Sequence, residues 1–301
     1  MGLSCIPSYH DYQKAVPGDF DAAEVERAVA GTISAYGLFC KDDRVLVAAS
    51  GGKDSTVLLA ILVKLGYHVE ALTIDAHIGC YTEENLKNLR AVCASLGVKL
   101  HEVEFRKEFG SSLCHIQAIL KQKGYDYKSC HTCGVLRRYL LNKHAKAIRP
   151  SVLATGHNLD DEAQAVMMNV LRGSMALAAR MGPKTGMADD DKFIPRVKPL
   201  YFVSEEDIIN YAKHHAFPVH FGECPCSSDT YRREMKNLFL AMPDRERVKQ
   251  NIVTSFMRMK PKLMECYAPE SSVCACEICG EPTSNDICNV CSLRAKLTVE
   301  A

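Results

Sequence analysis

The chain has 301 residues, with 37 Lys/Arg against 36 Asp/Glu and a net charge of +1. A 47% hydrophobic share beside 24% charged is that of a globular protein with room for one main core and a small appendage, and it excludes a disordered chain. Near-neutral charge excludes nucleic-acid binding through overall potential, leaving only local patches; no apolar run reaches membrane-spanning length and no signal peptide opens the chain, so it reads as cytoplasmic and free of membranes.

Residues 1–20 read as a surface arm, in which Cys5 and His10 offer two ligands where a tetrahedral metal needs four. From Asp21 to Tyr36 the spacing of Ala22, Val25, Ala28, Val29 and Ile33 predicts an amphipathic helix. Val45 to Ala49 is short and apolar, a buried strand, and Thr56 to Leu65 carries leucines at helical spacing. The period therefore changes across Ser50-Gly51-Gly52-Lys53-Asp54-Ser55. Val69 to Asp75 is a second strand, Glu83 to Leu96 a helix closed by Gly97, and Val98 to Val103 a third strand. This alternation argues for βαβ units and an α/β fold with a doubly wound parallel sheet. Ligands collect at the carboxyl ends of such strands, so the loop after Ile74 should face the same crevice as Ser50–Ser55.

Cys130-His131-Thr132-Cys133-Gly134 precedes a predicted helix from Val135 to Ile148, bearing Arg137, Arg138, Lys143 and Lys146 and ending before Pro150. Ser151 to Thr155 is another strand. It runs into Gly156-His157-Asn158-Leu159-Asp160-Asp161-Glu162-Ala163-Gln164, with three acids in a helix first turn, where the dipole ordinarily favours them. A Gly- and Asp-rich loop spans Gly182 to Lys192, and Ser204 to His214 is a helix opened by an N-cap with acids behind it. Gly222 to Ser227 is a tight cysteine-bearing turn. Thr230 to Lys262 then holds nine Lys/Arg against three Asp/Glu, the best electrostatic footprint for RNA phosphates in the chain.

Two features carry chemistry. A Gly-Gly turn between strand and helix presents backbone N–H groups at a helix N-terminus, where they favour phosphate, and Lys53 adds a cation. The adjacent glycines and the Asp54 after the lysine separate it from the G-x-x-x-x-G-K-[ST] loop. Second, six of the fifteen cysteines fall in C-x-x-C pairs: Cys130/Cys133, Cys276/Cys279 and Cys288/Cys291. The last two pairs read as a tetrahedral zinc site, since a segment of about 30 residues needs a metal to fold; Cys274 lies close enough to confuse the ligand count. Cys40, Cys80, Cys93 and Cys114 read as packed small hydrophobes.

Ser50 to Ser55 resembles the PP-loop of the N-type ATP pyrophosphatases, which hold the β,γ-pyrophosphate of ATP and release AMP and pyrophosphate while adenylating an oxygen. With Cys130 to Asn142, Gly156 to Gln164, Glu223-Cys224-Pro225 and the terminal knuckles, the chain resembles the TtuA/NcsA-type tRNA 2-thiouridine synthetases from about Ala30 to Leu293. The resemblance implies a Rossmann-like PP-loop domain at 21–265, a zinc finger at 266–301, and an arm at 1–20 that is the remnant of a further finger. It implies a [4Fe-4S] cluster on Cys130, Cys133 and Cys224, with one iron open and Cys226 a nearby alternative ligand. ATP would contact Ala49, Ser50, Gly51, Gly52, Lys53, Asp54, Ser55, Ile74, Gly156 and Asp161, with Mg²⁺ screening its phosphates. Asp161, Arg137 and Lys53 would be the catalytic groups, Arg137 standing where many relatives carry lysine, and Cys276, Cys279, Cys288 and Cys291 would hold zinc. The implied reaction adenylates the O2 of a tRNA uridine and replaces that oxygen with sulfur. Its implied partners are tRNA, a sulfur donor (a thiocarboxylate carrier, a persulfide or sulfide) and a second copy of the chain. A 2-thiocytidine synthetase, an amidating ligase with structural zinc, and a zinc-stapled RNA-binding module without catalysis are the competing readings.

Overall fold

The computed structural model describes residues 15–186, 194–222, 224–227, 231–267 and 274–298. Cys5, His10, Glu223 and most of the Asp-rich loop lie outside them. The first half of the chain alternates as read: α1 (Ala22–Ala35), β1 (Arg44–Ala48), α2 (Lys53–Lys64), β2 (His68–Asp75), α3 (Gly79–Leu96) and β3 (Lys99–Glu104). Two short helices, α4 (Phe105–Phe109) and α5 (Leu113–Gln122), lead into α6 (Ser129–Ile148). Strand β4 (Val152–Thr155) follows, then α7 (Leu159–Leu171), α8 (Met175–Ala179), β5 (Lys184–Thr185), β6 (Arg196–Val197) and α9 (Glu205–His214). Helices α10 (Tyr231–Leu240) and α11 (Arg245–Cys266) precede the terminal unit of β7 (Cys274–Ala275), β8 (Pro282–Thr283) and α12 (Asn289–Thr298).

The main sheet has the order β3-β2-β1-β4-β6-β5, parallel except for the antiparallel β5 edge. Strand β1 is buried on both faces, which is why its sequence is an unbroken apolar run. Val45 and Val47 join a core under α1, α2 and α9, whereas Leu46 joins the opposite core with α5, α6 and the terminal unit. Because β1 pairs with β2 on one side and β4 on the other, successive crossovers diverge at its carboxyl end. That switch point opens the crevice in which Ser50–Ser55 sits.

Two expectations need correction. Helix α6 begins at Ser129, so Cys130 and Cys133 lie inside it rather than in a loop before it. A Cys-His-Thr-Cys-Gly string is poor in helix formers, and packing of Thr132, Val135 and Leu136 against the sheet overrides that weak local preference. Of the four cysteines read as packed, only Cys93 is buried; Cys40, Cys80 and Cys114 are exposed. Cys80 and Cys114 stand in the first turns of α3 and α5, on faces turned from the core. No described helix is long and apolar enough to cross a membrane.

Candidate active site

The loop after β1 is shaped by two glycines and two serines. Gly51 adopts φ +79°, and a Cβ there would run into the backbone carbonyl of Asn85 on α3. Gly52 caps α2 without a side-chain bond, so the first amides of that helix point into the crevice. Ser55 knits the turn: its Oγ accepts from the Ser50 amide at 3.1 Å and donates to the Gly52 carbonyl at 3.2 Å. Gly156 lets β4 pass close behind, since a Cβ would lie 2.9 Å from the Asp54 carbonyl carbon and the Ser55 nitrogen. His220 forms an isolated parallel bridge with Gly52, which brings the Cys224–Cys226 turn to the same place.

The residues expected to act together separate into two neighbouring cavities. One, of about 280 Å³, joins Ser50 and the end of β2 to Cys130, Cys133, Cys224, Cys226 and Arg137. Its walls include Ile74, Ile78 and Leu113. The other, of about 190 Å³, lies across the loop and holds Lys53, Asp54 and Asp161 with Glu205, Arg232 and Lys236.

In the cysteine cavity, burial raises the thiols of Cys130 and Cys224 and pushes Cys226 up to about 12. Neighbouring thiolate charge adds to the rise at each, while a bond from the Cys226 backbone, and after it the Arg137 charge, draw Cys224 down. Such sulfurs stay protonated until a metal compensates them. The Nε of Arg137 is buried with no hydrogen-bond partner among the described residues, and the side chain borders the cavity. Cys130, Cys133 and Cys224 ring the cavity instead of converging on one point, and thiols around a space of this size suit a polynuclear iron–sulfur group better than a single ion. Cys226 lines the same space, and its carbonyl accepts from the Cys130 Sγ at 3.5 Å.

In the phosphate cavity, Lys53 pairs with Asp54 at 3.0 Å and with Glu205 at 2.9 Å. Burial opposes the Glu205 charge, but Lys53 and Lys236 outweigh it and hold Glu205 down to about 2. Asp54 moves the other way, raised by burial despite Lys53, and accepts a 2.9 Å bond from Asn158. The three acids opening α7 now divide. Asp160 is a buried anchor, bound to the Glu205 amide at 2.8 Å and to Lys249. Glu162 is buried against Lys198 at 2.7 Å. Asp161 closes a capping box with Asn158 and turns its carboxylate to Arg232 at 2.7 Å, inside the cavity.

Glu205 and the basic face of α10 are site residues that sequence reasoning did not assign. Glu205 sits behind the Ser204 cap, where an acid is ordinary, so nothing local marked it; the basic stretch from Thr230 was noted only as a footprint for RNA.

At the terminus, one sulfur from each of Cys276, Cys279, Cys288 and Cys291 lies within 4.8 Å of the others. The Cys288 amide donates to the Cys276 sulfur at 3.3 Å, and this bond leads the effects that lower that thiol to about 6. A compact set of four sulfurs with backbone donors fits tetrahedral zinc. Cys274 is set apart, donating to the carbonyls of Thr283 and Asn285.

A PP-loop domain model matches residues 23–235. The tRNA-5-methyluridine(54) 2-sulfurtransferase of Pyrococcus horikoshii is 36% identical over 88% of this chain and 83% of its own. The chain belongs to the TtuA/NcsA family of PP-loop proteins. The tRNA 2-thiolation protein NcsA of Haloferax volcanii is 32% identical over 82% of this chain and 80% of its own. Among solved structures, the U34-tRNA thiolase NcsA of Methanococcus maripaludis, described with its [4Fe-4S] cluster, matches with a TM-score of 0.72. It is 27% identical, covering 93% of this chain and 89% of that one. The PP-loop match takes in the cysteine cavity and all of the phosphate cavity but Lys236, and it ends before the terminal cysteines.

Proposed function

We propose that this protein is an ATP-dependent tRNA sulfurtransferase that converts a tRNA uridine to 2-thiouridine. The observation that carries the reading is the 280 Å³ cavity whose walls combine Ser50, at the phosphate-binding turn, with Cys130, Cys133, Cys224 and Arg137. A phosphate site alone would suit an amidating ligase; three cysteines opening onto it would serve no purpose there.

The amides of Gly51 to Ser55 and the Lys53 ammonium bind the pyrophosphate of ATP, with Ala49, Ile74 and Gly156 bordering the nucleotide. Asp54 and Asp161 would offer the hard oxygen ligands that Mg²⁺ prefers, Asp161 now being paired with Arg232. Arg137 offsets charge developing at the α-phosphate while the uridine O2 is adenylated. Ile74, Ile78 and Leu113 exclude water, protecting the activated base from hydrolysis. Cys130, Cys133 and Cys224 would hold a [4Fe-4S] cluster, which when bound supplies a sulfide position that no protein ligand occupies. The four terminal cysteines would hold a structural zinc. The sulfur itself comes from a donor outside this chain, and the protein works as a homodimer in this reading.

The test is the iron, acid-labile sulfide and zinc content of protein purified without oxygen, beside that of Cys130→Ser. Near four irons and one zinc per chain, with iron and visible absorption lost but zinc kept in Cys130→Ser, is the expected result. Two zincs and no iron would contradict it.

A further inference from the structure

A third cavity belongs to neither half of the site described above. It is a cleft of about 430 Å³ on the other side of α6, between that helix, β6 and the terminal cysteine unit. Cys130, Cys133 and Arg137 face the cysteine cavity, whereas Val135, Arg138 and Asn142 line the cleft. Arg196 enters it from β6. We propose that Arg138 and Arg196 form a joint phosphate clamp in this cleft for the backbone of the tRNA, a reading that rests on the tRNA substrate proposed above.

Four observations support it. Among the described residues no carboxylate pairs with either guanidinium. Glu281, the acid within the cleft, is already engaged, accepting from Asn142 at 3.0 Å and pairing with Lys146 at 3.3 Å. Arg138 keeps contact with solvent, yet protein crowding holds both arginines below their ordinary value, and the Arg138 charge adds to that effect at Arg196. Two like charges so placed oppose each other until an anion is shared between them. Lastly, the Arg138 guanidinium lies back along its helix over Gly134, where a Cβ would come within 3.0 Å of Nη1. That contact places the guanidinium beside the turn of α6 that follows Cys133.

A phosphodiester fits the donor set, because guanidinium forks bind it in two-point fashion and Asn285 and Asn289 add neutral donors at the rim. The cleft touches both the catalytic domain and the terminal unit. RNA held there is fixed one helix face away from Cys133, which would set the register in which a base reaches the other cavity.

The experiment measures binding of an unmodified tRNA transcript to the full metal-loaded chain across a salt series, for wild type, Arg138→Gln, Arg196→Gln and the double variant. Each single variant is expected to weaken binding about threefold or more and to flatten the log–log salt slope by about 1, with the double variant losing about 2. Arg138→Lys and Arg196→Lys should keep the slope while losing part of the affinity, and they serve where a Gln variant loses its metals. Variants that keep iron and zinc and bind with wild-type affinity and slope would overturn the clamp; the cleft would then serve a protein carboxylate instead. A wild-type chain that fails to bind tRNA at all would overturn the proposed function itself, so the two failures are distinguishable.

Discussion

Gly51 carries two constraints at once, a positive φ and a neighbouring carbonyl with no space for a methyl group. Gly51→Ala should therefore cost about 1–3 kcal/mol of stability and abolish ATP-dependent pyrophosphate release. Denaturant unfolding checks the first part, and a variant as stable as wild type would contradict the packing described. Glu205 makes a pH-dependent claim. Its folded pKa of about 2 lies below the ordinary 4.5, so its charge stabilises the fold above about 4.5, and that stability is lost as pH falls toward 2. Glu205→Gln should be less stable than wild type at pH 7, by about 1–3 kcal/mol, since Lys53 loses one of its two carboxylates. The gap should narrow steadily in unfolding curves taken from pH 4.5 down to 2.5. A gap that is the same at both ends would remove Glu205 from the phosphate site.

At the scale of elements, most of the Rossmann-like half was legible because its signals are local. The buried run of β1, the leucine spacing of α2 and the glycine closing α3 each report a period or a cap that the chain carries in itself. Helix α6 was legible only from Val135 onward, since its first turns hold cysteines and a glycine whose helicity depends on packing under the sheet. The same cause hid the division of α6 into a cysteine face and an arginine face: periodicity gives the spacing of 130, 133 and 137, but not which neighbour each face meets. Asp161 illustrates the converse. Sequence placed it correctly in a first turn with Asp160 and Glu162, yet only the partners Lys249 and Lys198 show that the other two acids are anchors and leave Asp161 facing the cavity.

Across the whole molecule, the terminal unit is tied to the main domain by polar contacts and by a shared core. Glu281 meets Asn142 and Lys146 on α6, Lys123 donates to the Leu297 carbonyl at 3.0 Å, and Lys296 reaches the Tyr127 hydroxyl. Cys276, Cys288 and Cys291 are themselves part of the core shared with α6. Removing the proposed zinc should therefore loosen residues 274–298 first and then the adjoining face of α6, seen as faster hydrogen exchange in both, while β1 and α2 remain protected. Exchange that is unchanged after chelation would show that the unit folds without metal. The proposed reaction would run across both cavities, which meet at the Ser50–Ser55 loop, a relation no one-dimensional pattern carries.

The measurement that tests this most directly is nucleoside mass spectrometry of tRNA incubated anaerobically with the metal-loaded protein, ATP, Mg²⁺ and sulfide. The account predicts 2-thiouridine, formed only with ATP and absent with Cys133→Ser. Pyrophosphate release without any thionucleoside would contradict it, and would return the PP-loop to ligase chemistry.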